Sequence, residues 1–395
     1  MSFFSFKMIF LSFYVGLSAF ITFFIYKEET PYYTPMYLTK KPKKEGEREE
    51  EVNIHDEFIE FAKTDKPKNI IKLFIGVLTL FWIRFIIDVI MIVLLTIKIS
   101  NRTKKKKAKE EELDQEDIDY MINSTKCFAK WFLRVSGTMV DNKRLPDETI
   151  LPVFQKYFGP EYKIEYDGKF GCLISNHTSI YDNFIAMYNF GNGFVARENV
   201  KDIPFVGTLM TELQTIFVDR SSRDSKNNTF NKLTERQYAY YEGKPVIPIL
   251  IFPEGTTTSG RHLIQFKKGA FSSLLPLKAN IINPNLSKDC QLACGSSDAF
   301  VNFLRDLSTL YSRIEYIELP IMTPNEYMFN NFKDLGNEKW EIYAEVAREI
   351  MCTLGRLKKS NAGIRDRFRY NSCLKEKTYL DRDTYKFRDK ISIQN

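Results

Sequence analysis

The sequence predicts an α/β domain in which a central mixed sheet is flanked by helices, preceded by N-terminal membrane helices. From residue 162 onward, short apolar runs typical of buried strands alternate with segments of helical periodicity. Two long apolar segments precede that region. A polar heptapeptide at 176–182 directly follows one apolar run, and strand ends of this kind are where ligands bind in open α/β sheets.

The first apolar segment, residues 8–26, predicts a membrane anchor. In a helix rising ~1.5 Å per residue, it is just long enough to cross a ~30 Å hydrocarbon core. A cleaved signal peptide is the alternative. The run is longer than a typical signal core, however, and no small-residue cleavage site follows it before Lys27. We therefore expect residues 1–27 to be an uncleaved anchor.

The second apolar segment, residues 70–98, contains two charged side chains. Arg84 and Asp88 are four residues apart and can pair on one helical face. Unpaired charges at bilayer depth cost ~2.5–3.5 kcal/mol each. The segment is therefore expected either to span the membrane with the pair against protein, or to bend into a shallow hairpin. The lysine run at 104–107 places the following domain on the cytosolic side.

Composition narrows the range of partners. The 395 residues carry a net charge of +7. The six cysteines include no Cys-x-x-Cys pair, so we expect reduced thiols and no zinc site. The basic and acidic runs at 28–69 and 99–119 predict charged linkers, with attraction to anionic lipids as the alternative. The chain has no basic-aromatic platform, so no nucleic-acid partner is expected.

The domain itself is predicted to cover residues 120–358. Predicted strands cover residues 162–166, 170–175, 193–196, 215–218, 245–252 and 314–319. Predicted helices cover residues 181–190, 205–213, 224–242, 298–311 and 338–357, and an apolar helical face at 128–135 precedes them. Residues 359–395 are expected to form a charged, loosely ordered tail.

The heptapeptide contains a histidine and a carboxylate separated by four residues, His177 and Asp182. A carboxylate that reaches a histidine fixes its tautomer and stabilises the imidazolium that forms when it takes a proton. The sequence thus predicts a general base. The alternatives are a core or capping role for His177 and a helix-capping role for Asp182.

Two further stretches accompany the heptapeptide, namely Ile216-Phe-Val-Asp-Arg220 and Phe252-Pro-Glu-Gly-Thr256. In order and spacing, the three stretches resemble the glycerolipid acyltransferase superfamily, and the resemblance covers roughly residues 130–357. The sequences at 196–207 and 262–271 are similar to those of lysophosphatidylcholine and lysophosphatidylethanolamine acyltransferases. The resemblance implies the glycerolipid acyltransferase fold.

The resemblance also implies roles for individual residues. His177 matches the base that deprotonates the acceptor hydroxyl, and Asp182 matches the carboxylate that orients it. Arg220 matches the residue that holds the acceptor phosphate. The acceptor-binding box comprises Glu254, Gly255 and Thr256. Further candidates are Asn176, Arg261 and Lys267.

For two of these residues a structural role is the alternative. A surface ion pair would account for Arg220, and a buried pair with Arg220 or Arg261 would account for Glu254.

The function implied is acyl-CoA-dependent transfer of a fatty acyl chain to the free hydroxyl of a lysophospholipid in the endoplasmic reticulum membrane. Acyl-CoA would be the co-substrate, with no bound cofactor and no metal ligands. Thr257 stands where lysophosphatidic-acid acyltransferases commonly carry Arg, which favours a phosphodiester acceptor. Acylation of glycerol 3-phosphate or lysophosphatidic acid stays open. So do a catalytically silent lipid-binding or scaffold protein and a hydrolase that uses Ser175 or Ser179.

Overall fold

The structure is a computed structural model that describes residues 3–40, 49–63, 69–218, 223–284 and 292–381. The helices are α1 (Phe3–Glu29), α2 (Ile54–Glu57), α3 (Ile70–Gly76), α4 (Trp82–Lys107), α5 (Gln115–Val135), α6 (Asp147–Phe158), α7 (Tyr181–Phe190), α8 (Val206–Glu212), α9 (Arg223–Tyr241), α10 (Ala299–Leu307), α11 (Glu326–Asn331), α12 (Lys339–Gly355) and α13 (Ile364–Glu376). The strands are β1 (Tyr37–Lys40), β2 (Glu50–Asn53), β3 (Thr138–Arg144), β4 (Cys172–Ser175), β5 (Val195–Arg197), β6 (Ile216–Val218), β7 (Leu250–Ile251), β8 (His262–Leu263), β9 (Leu277–Asn283), β10 (Ser312–Met322) and β11 (Lys358–Lys359).

A mixed sheet forms the centre of the domain. Its strand order is β3-β10-β9-β4-β7. The β9–β10 pair is antiparallel, and the other pairs in this sheet are parallel. A bridge between Gly193 and Ile249 connects the parallel pair β5–β6 to the β7 side. The prediction of a central mixed sheet flanked by helices is therefore confirmed.

The sheet is covered on both faces, as the alternation of side chains along β4 requires. Cys172 and Ile174 belong to one apolar core, which they share with residues of α6 and α12. Leu173 belongs to a second core, which contains residues of α5 and α7. Every residue of β4 is buried. The strand thus lies between two helical layers, and the loop after it starts from a rigid support.

The helices predicted between the strands are present, but the strand prediction was wrong at residues 162–166. That segment is irregular because Tyr162 turns into the core, where it packs on Phe154 and donates a hydrogen bond to the carbonyl of Ile321. Strand β9, in the centre of the sheet, was not predicted, because Lys278 interrupts its apolar run. Buried within the sheet, Lys278 pairs with Glu318 at 2.6 Å.

The second apolar segment is one continuous helix rather than a hairpin. Helices α3 and α4 join through a π-helical turn at Val77–Phe81. Among the described residues, the helix that is long and apolar enough to cross a membrane covers Ile70–Lys106. The segment is long and apolar enough to span, and that it does so remains a prediction.

The two charged residues of this helix do not pair as expected. The Arg84 guanidinium instead donates hydrogen bonds to main-chain carbonyls at the end of α10, at 3.1 Å to Leu307 and 2.8 Å to Leu310. The Asp88 carboxylate is buried and makes no hydrogen bond to any described residue. The end of α10 attracts Arg84 because its carbonyl groups lack partners within the helix.

Helix α1 packs along the second apolar helix. Ile25 shares a small core with Leu73 and Val77. Other apolar side chains of α1, such as Phe13 and Phe20, are exposed. That α1 is a membrane anchor remains a prediction.

In the described parts of the predicted linker at 28–69 and of the predicted loose tail at 359–395, the structure contains regular elements. Within the first, β1 and β2 form an antiparallel hairpin followed by α2, and within the second lies α13. These parts share an apolar core to which Phe58, Phe61 and Tyr370 contribute. Charged residues flank these apolar positions, so the local sequence pattern does not indicate a core. The three side chains pack together only in the folded structure, where the two segments are in contact.

Candidate active site

The site begins one residue beyond β4, where Asn176 continues the pairing with β9 through its side chain. Its amide donates a 2.8 Å hydrogen bond to the carbonyl of Ile282 and accepts a 2.7 Å bond from the Ile282 N–H. The side chain is buried. Asn176, a candidate acceptor contact from sequence, therefore lies within the protein and fixes the backbone from which the next residue projects.

His177 and Asp182 lie together as predicted. The Nδ1 atom of His177 is 2.9 Å from Oδ2 of Asp182. The buried carboxylate also accepts hydrogen bonds from the N–H of Ser179 at 2.8 Å and the hydroxyl of Thr178 at 2.9 Å. An ionised carboxylate can only accept, so Nδ1 carries the proton and Nε2 presents its lone pair.

The outer nitrogen of His177 is available to a ligand. The side chain is 20% exposed, and Nε2 makes no hydrogen bond to a residue in the described part of the chain. The ring of Phe252 stacks against the imidazole at 3.9 Å between centroids. The imidazole is thus fixed at one edge by Asp182 and on one face by Phe252, with its basic nitrogen left open.

Glu254 is fully buried and holds the backbone of His177. Its Oε1 accepts a 2.9 Å hydrogen bond from the N–H of His177, and its Oε2 accepts a 3.3 Å bond from the N–H of Ile264. Burial raises the pKa of the Glu254 carboxyl to about 8, although both backbone hydrogen bonds oppose the shift. The structure therefore places Glu254 inside the protein, where its carboxyl fixes the backbone of His177.

The loop after Glu254 wraps around the histidine. Gly255 has φ +66°, and a Cβ there would collide with the ammonium group of Lys267. Further along, the N–H of Thr258 donates a 2.9 Å hydrogen bond to the carbonyl of His177. The hydroxyl of Thr257 donates a 2.8 Å bond to the carbonyl of Gly295. The loop and the heptapeptide therefore form one hydrogen-bonded unit.

Comparison with known proteins identifies the part of the chain that carries this unit. Residues 161–284 match the family model described as Acyltransferase. These residues form an acyltransferase domain. The resemblance to the glycerolipid acyltransferase superfamily is thereby confirmed.

Relatives of the acyltransferase domain are lysophospholipid enzymes by name. The lysophospholipid acyltransferase LPEAT1 of Arabidopsis thaliana is 28% identical over 54% of this chain and 52% of its own length. The lysophosphatidylcholine acyltransferase of Drosophila melanogaster is 27% identical over 46% of this chain and 32% of its own. The chain therefore spans about half, or less, of these curated relatives.

One solved structure is also similar. The crystal structure of the 1-acyl-sn-glycerophosphate (LPA) acyltransferase PlsC from Thermotoga maritima aligns with 69% of this chain and 100% of that one, with a TM-score of 0.41 and 16% identity.

The acyltransferase domain brings most of the predicted site residues together. His177, Asp182, Glu254 and Gly255 form the unit described above, and Thr256 follows in the same loop. Lys267 borders it at Gly255, whereas the side chain of Arg261 is exposed and its carbonyl accepts a bond from the Lys358 N–H. Arg220 lies outside the described residues.

The structure adds a residue that sequence reasoning did not find. The guanidinium of Arg367, on α13, donates a hydrogen bond to the hydroxyl of Thr256 in the acyltransferase domain. Arg367 lies in the predicted loose tail. The apolar positions Tyr370 and Cys373, one and two helical turns further on, were the available signal for a packed helix there.

The two serines considered for a hydrolase do not bond to the base. The Ser179 hydroxyl donates to Asp182 at 3.2 Å, and the Ser175 hydroxyl is buried without a partner in the described part of the chain. A serine nucleophile needs a hydrogen bond to its base. Neither Ser175 nor Ser179 is therefore placed as a nucleophile that His177 would activate. No group of metal-ligating side chains occurs among the described residues.

Proposed function

We propose that the chain transfers a fatty acyl group from acyl-CoA to the free hydroxyl of a lysophospholipid, forming a diacyl glycerophospholipid. The observation that carries the proposal is the His177 imidazole, fixed through Nδ1 by Asp182 and open at Nε2. The names of the relatives support a lysophospholipid acceptor.

The chemical step uses the geometry directly. Nε2 of His177 takes the proton of the acceptor hydroxyl as its oxygen attacks the thioester carbonyl. The tetrahedral intermediate then expels the CoA thiolate, which takes the proton back from the imidazolium. Asp182 stabilises that imidazolium. A positioned base of this kind contributes ~10²–10⁴-fold in rate.

An acyl-enzyme is unnecessary because the thioester already has a good leaving group. The second substrate can therefore be the nucleophile, and the domain needs to hold two substrates side by side. We assign the acceptor to the loop at Gly255 and Thr256 and to Arg220, with Glu254 positioning the histidine.

We expect the enzyme to lie at a bilayer, because the proposed acceptor is an amphiphile. The apolar helix Ile70–Lys106 is long enough to cross a membrane, and apolar side chains of α1 are exposed beside it. The lysines at its end favour a cytosolic domain, where acyl-CoA is available. We propose that the enzyme resides in the endoplasmic reticulum membrane.

The test is acyl transfer in microsomes that contain the full chain. Labelled acyl-CoA is offered with lysophosphatidylcholine, lysophosphatidylethanolamine, lysophosphatidic acid or glycerol 3-phosphate. We expect one of the first two acceptors to react fastest, and His177→Ala to reduce transfer at least ~10²-fold at equal protein content.

Each other outcome identifies a different function. Faster acylation of glycerol 3-phosphate or lysophosphatidic acid would replace the acceptor class. Fatty acid release without an acceptor would indicate a hydrolase. Transfer that His177→Ala leaves intact would remove His177 as the base, and the absence of transfer with every acceptor would leave a lipid-binding or scaffold role.

A further inference from the structure

Arg367 reaches the candidate active site from outside the matched acyltransferase domain. Its Nε donates a 3.1 Å hydrogen bond to the Ser296 hydroxyl, and its Nη1 donates to the Thr256 hydroxyl. Both acceptors are buried, and Arg367 itself is half-buried. A guanidinium has therefore been brought from the C-terminal helix to the loop that wraps His177.

Neither of its partners neutralises the charge. Thr256 and Ser296 offer neutral hydroxyls, and within the described residues Arg367 forms no ion pair with a carboxylate. Burial lowers the pKa of the Arg367 guanidinium, because removing the cation from water costs free energy. Cys294, Tyr32 and Asp298 are near enough to oppose this effect, but none of them is hydrogen-bonded to the guanidinium, and the Asp298 carboxylate accepts the N–H groups that begin α10.

The guanidinium of Arg367 keeps one nitrogen for a ligand. Its Nη2 makes no hydrogen bond to a described residue and remains a donor for an anion. An anion bound there would stabilise a cation that has no carboxylate hydrogen-bonded to it.

The cation is connected to the base through two loops. Thr256 precedes Thr258, whose N–H bonds to the carbonyl of His177. Ser296 follows Cys294, whose N–H donates a 2.7 Å hydrogen bond to the carbonyl of Thr178. The residues that receive Arg367 thus belong to the two loops that fix the His177–Thr178 backbone.

We propose that Arg367 binds the phosphate group of the lysophospholipid acceptor next to the His177 base. A guanidinium can grip two phosphate oxygens at once, which would orient the glycerol hydroxyl as well as hold the charge. The inference rests on the proposed acyl transfer for its choice of ligand. The CoA phosphates have the same chemistry, and kinetics separates the two sources.

The experiment compares Arg367→Gln and Arg367→Lys with Arg365→Gln in the full chain. Arg365 is exposed two residues earlier on α13, so it serves as the matched control. With lysophosphatidylcholine and palmitoyl-CoA as substrates, we expect Arg367→Gln to raise the KM for the acceptor ~10-fold or more. The KM for palmitoyl-CoA should stay within about twofold, Arg367→Lys should fall between, and Arg365→Gln should match the wild type.

A binding measurement keeps the inference separate from catalysis. Glycerophosphocholine, a soluble phosphodiester, should raise the melting temperature of the wild type and of Arg365→Gln, and should leave that of Arg367→Gln unchanged. If the wild type acylates no acceptor but shows this shift, the proposed function fails and the anion site stands.

Three outcomes would overturn the site. A rise in the KM for palmitoyl-CoA alone would assign Arg367 to the CoA phosphates. A lower melting temperature and kcat with an unchanged acceptor KM would make Arg367 a structural clamp between α13 and the loop. Equal protection of wild type and Arg367→Gln by glycerophosphocholine would place the phosphodiester elsewhere.

Discussion

The imidazole of His177 lies parallel to the phenyl ring of Phe252, with 3.9 Å between the ring centroids and 12° between the ring planes. Phe252 follows β7, and His177 follows β4, which pairs with β7 in parallel. The stack therefore forms where the ends of two adjacent strands meet. It prevents the imidazole from tilting away from Asp182 and excludes water from one face of the ring.

Replacing Phe252 with Leu should lower kcat for acyl transfer about 2–10-fold with little change in either KM. An aromatic pair contributes ~0.5–1.5 kcal/mol beyond its buried area, and its loss would let the imidazole leave its productive orientation. Phe170→Leu is the control, because Phe170 packs on Tyr240 away from the histidine. An unchanged kcat in Phe252→Leu would show that Asp182 alone orients the ring.

Asp182→Asn should reduce kcat by ~10²-fold or more. The carboxylate holds the proton on Nδ1 and stabilises the imidazolium, whereas an amide has one acceptor oxygen in place of two and can favour the wrong tautomer. Single-turnover acyl transfer with saturating substrates would measure the loss. The substrate KM values should change less than kcat, because Asp182 is buried and acts on His177.

The matched control for this change is Asp119→Asn. Asp119 is an exposed carboxylate on α5 that accepts a hydrogen bond from Gln115. Its replacement should leave kcat at the wild-type value. Full activity of Asp182→Asn would mean that the 2.9 Å bond to Nδ1 is not needed for proton transfer.

Asn176→Ala should destabilise the domain. The change removes both hydrogen bonds to Ile282 and leaves a buried N–H and a buried carbonyl without partners, at a cost of ~1–3 kcal/mol each. Urea unfolding of the purified protein in micelles would measure the difference. Asn123→Ala on α5, an exposed position, is the control. Equal unfolding free energies would show that water replaces the lost bonds.

The sequence identified much of the site because its parts follow strands. His177 and Asp182 follow β4, and the box at 252–256 follows β7. These two segments must come together when β4 and β7 pair. The role of Glu254 could not be predicted in the same way. Its two hydrogen-bond donors are backbone N–H groups on different loops, and sequence gives no signal for such bonds.

The contacts between the segment around Phe61 and helix α13 could also not be predicted. The packing of Phe61 with Tyr370 brings together residues more than three hundred positions apart. The same packing delivers Arg367 to Thr256. Each segment alone is short and rich in charge, so its local pattern resembles a solvated linker. Only the completed fold shows that these segments cover the loop around His177.

The buried carboxyl of Glu254 should make stability depend on pH. Its pKa is raised to about 8 by burial, while the same group in the unfolded chain has the ordinary value of 4.5. Between these values the folded state keeps a proton that the unfolded state has lost. The unfolding free energy should therefore fall as pH rises through this window, by up to ~1.4 kcal/mol per pH unit from this group.

Glu254→Gln removes that contribution, because an amide does not titrate. At pH 5 we expect the variant to be less stable than the wild type, since one backbone N–H loses its acceptor, and the gap should close or reverse by pH 8. Urea unfolding from pH 5 to pH 8.5 measures both slopes, with Glu235→Gln on the exposed side of α9 as the control that retains the wild-type slope. Parallel curves for Glu254→Gln and wild type would mean that Glu254 is already ionised at pH 5, held so by the N–H groups of His177 and Ile264.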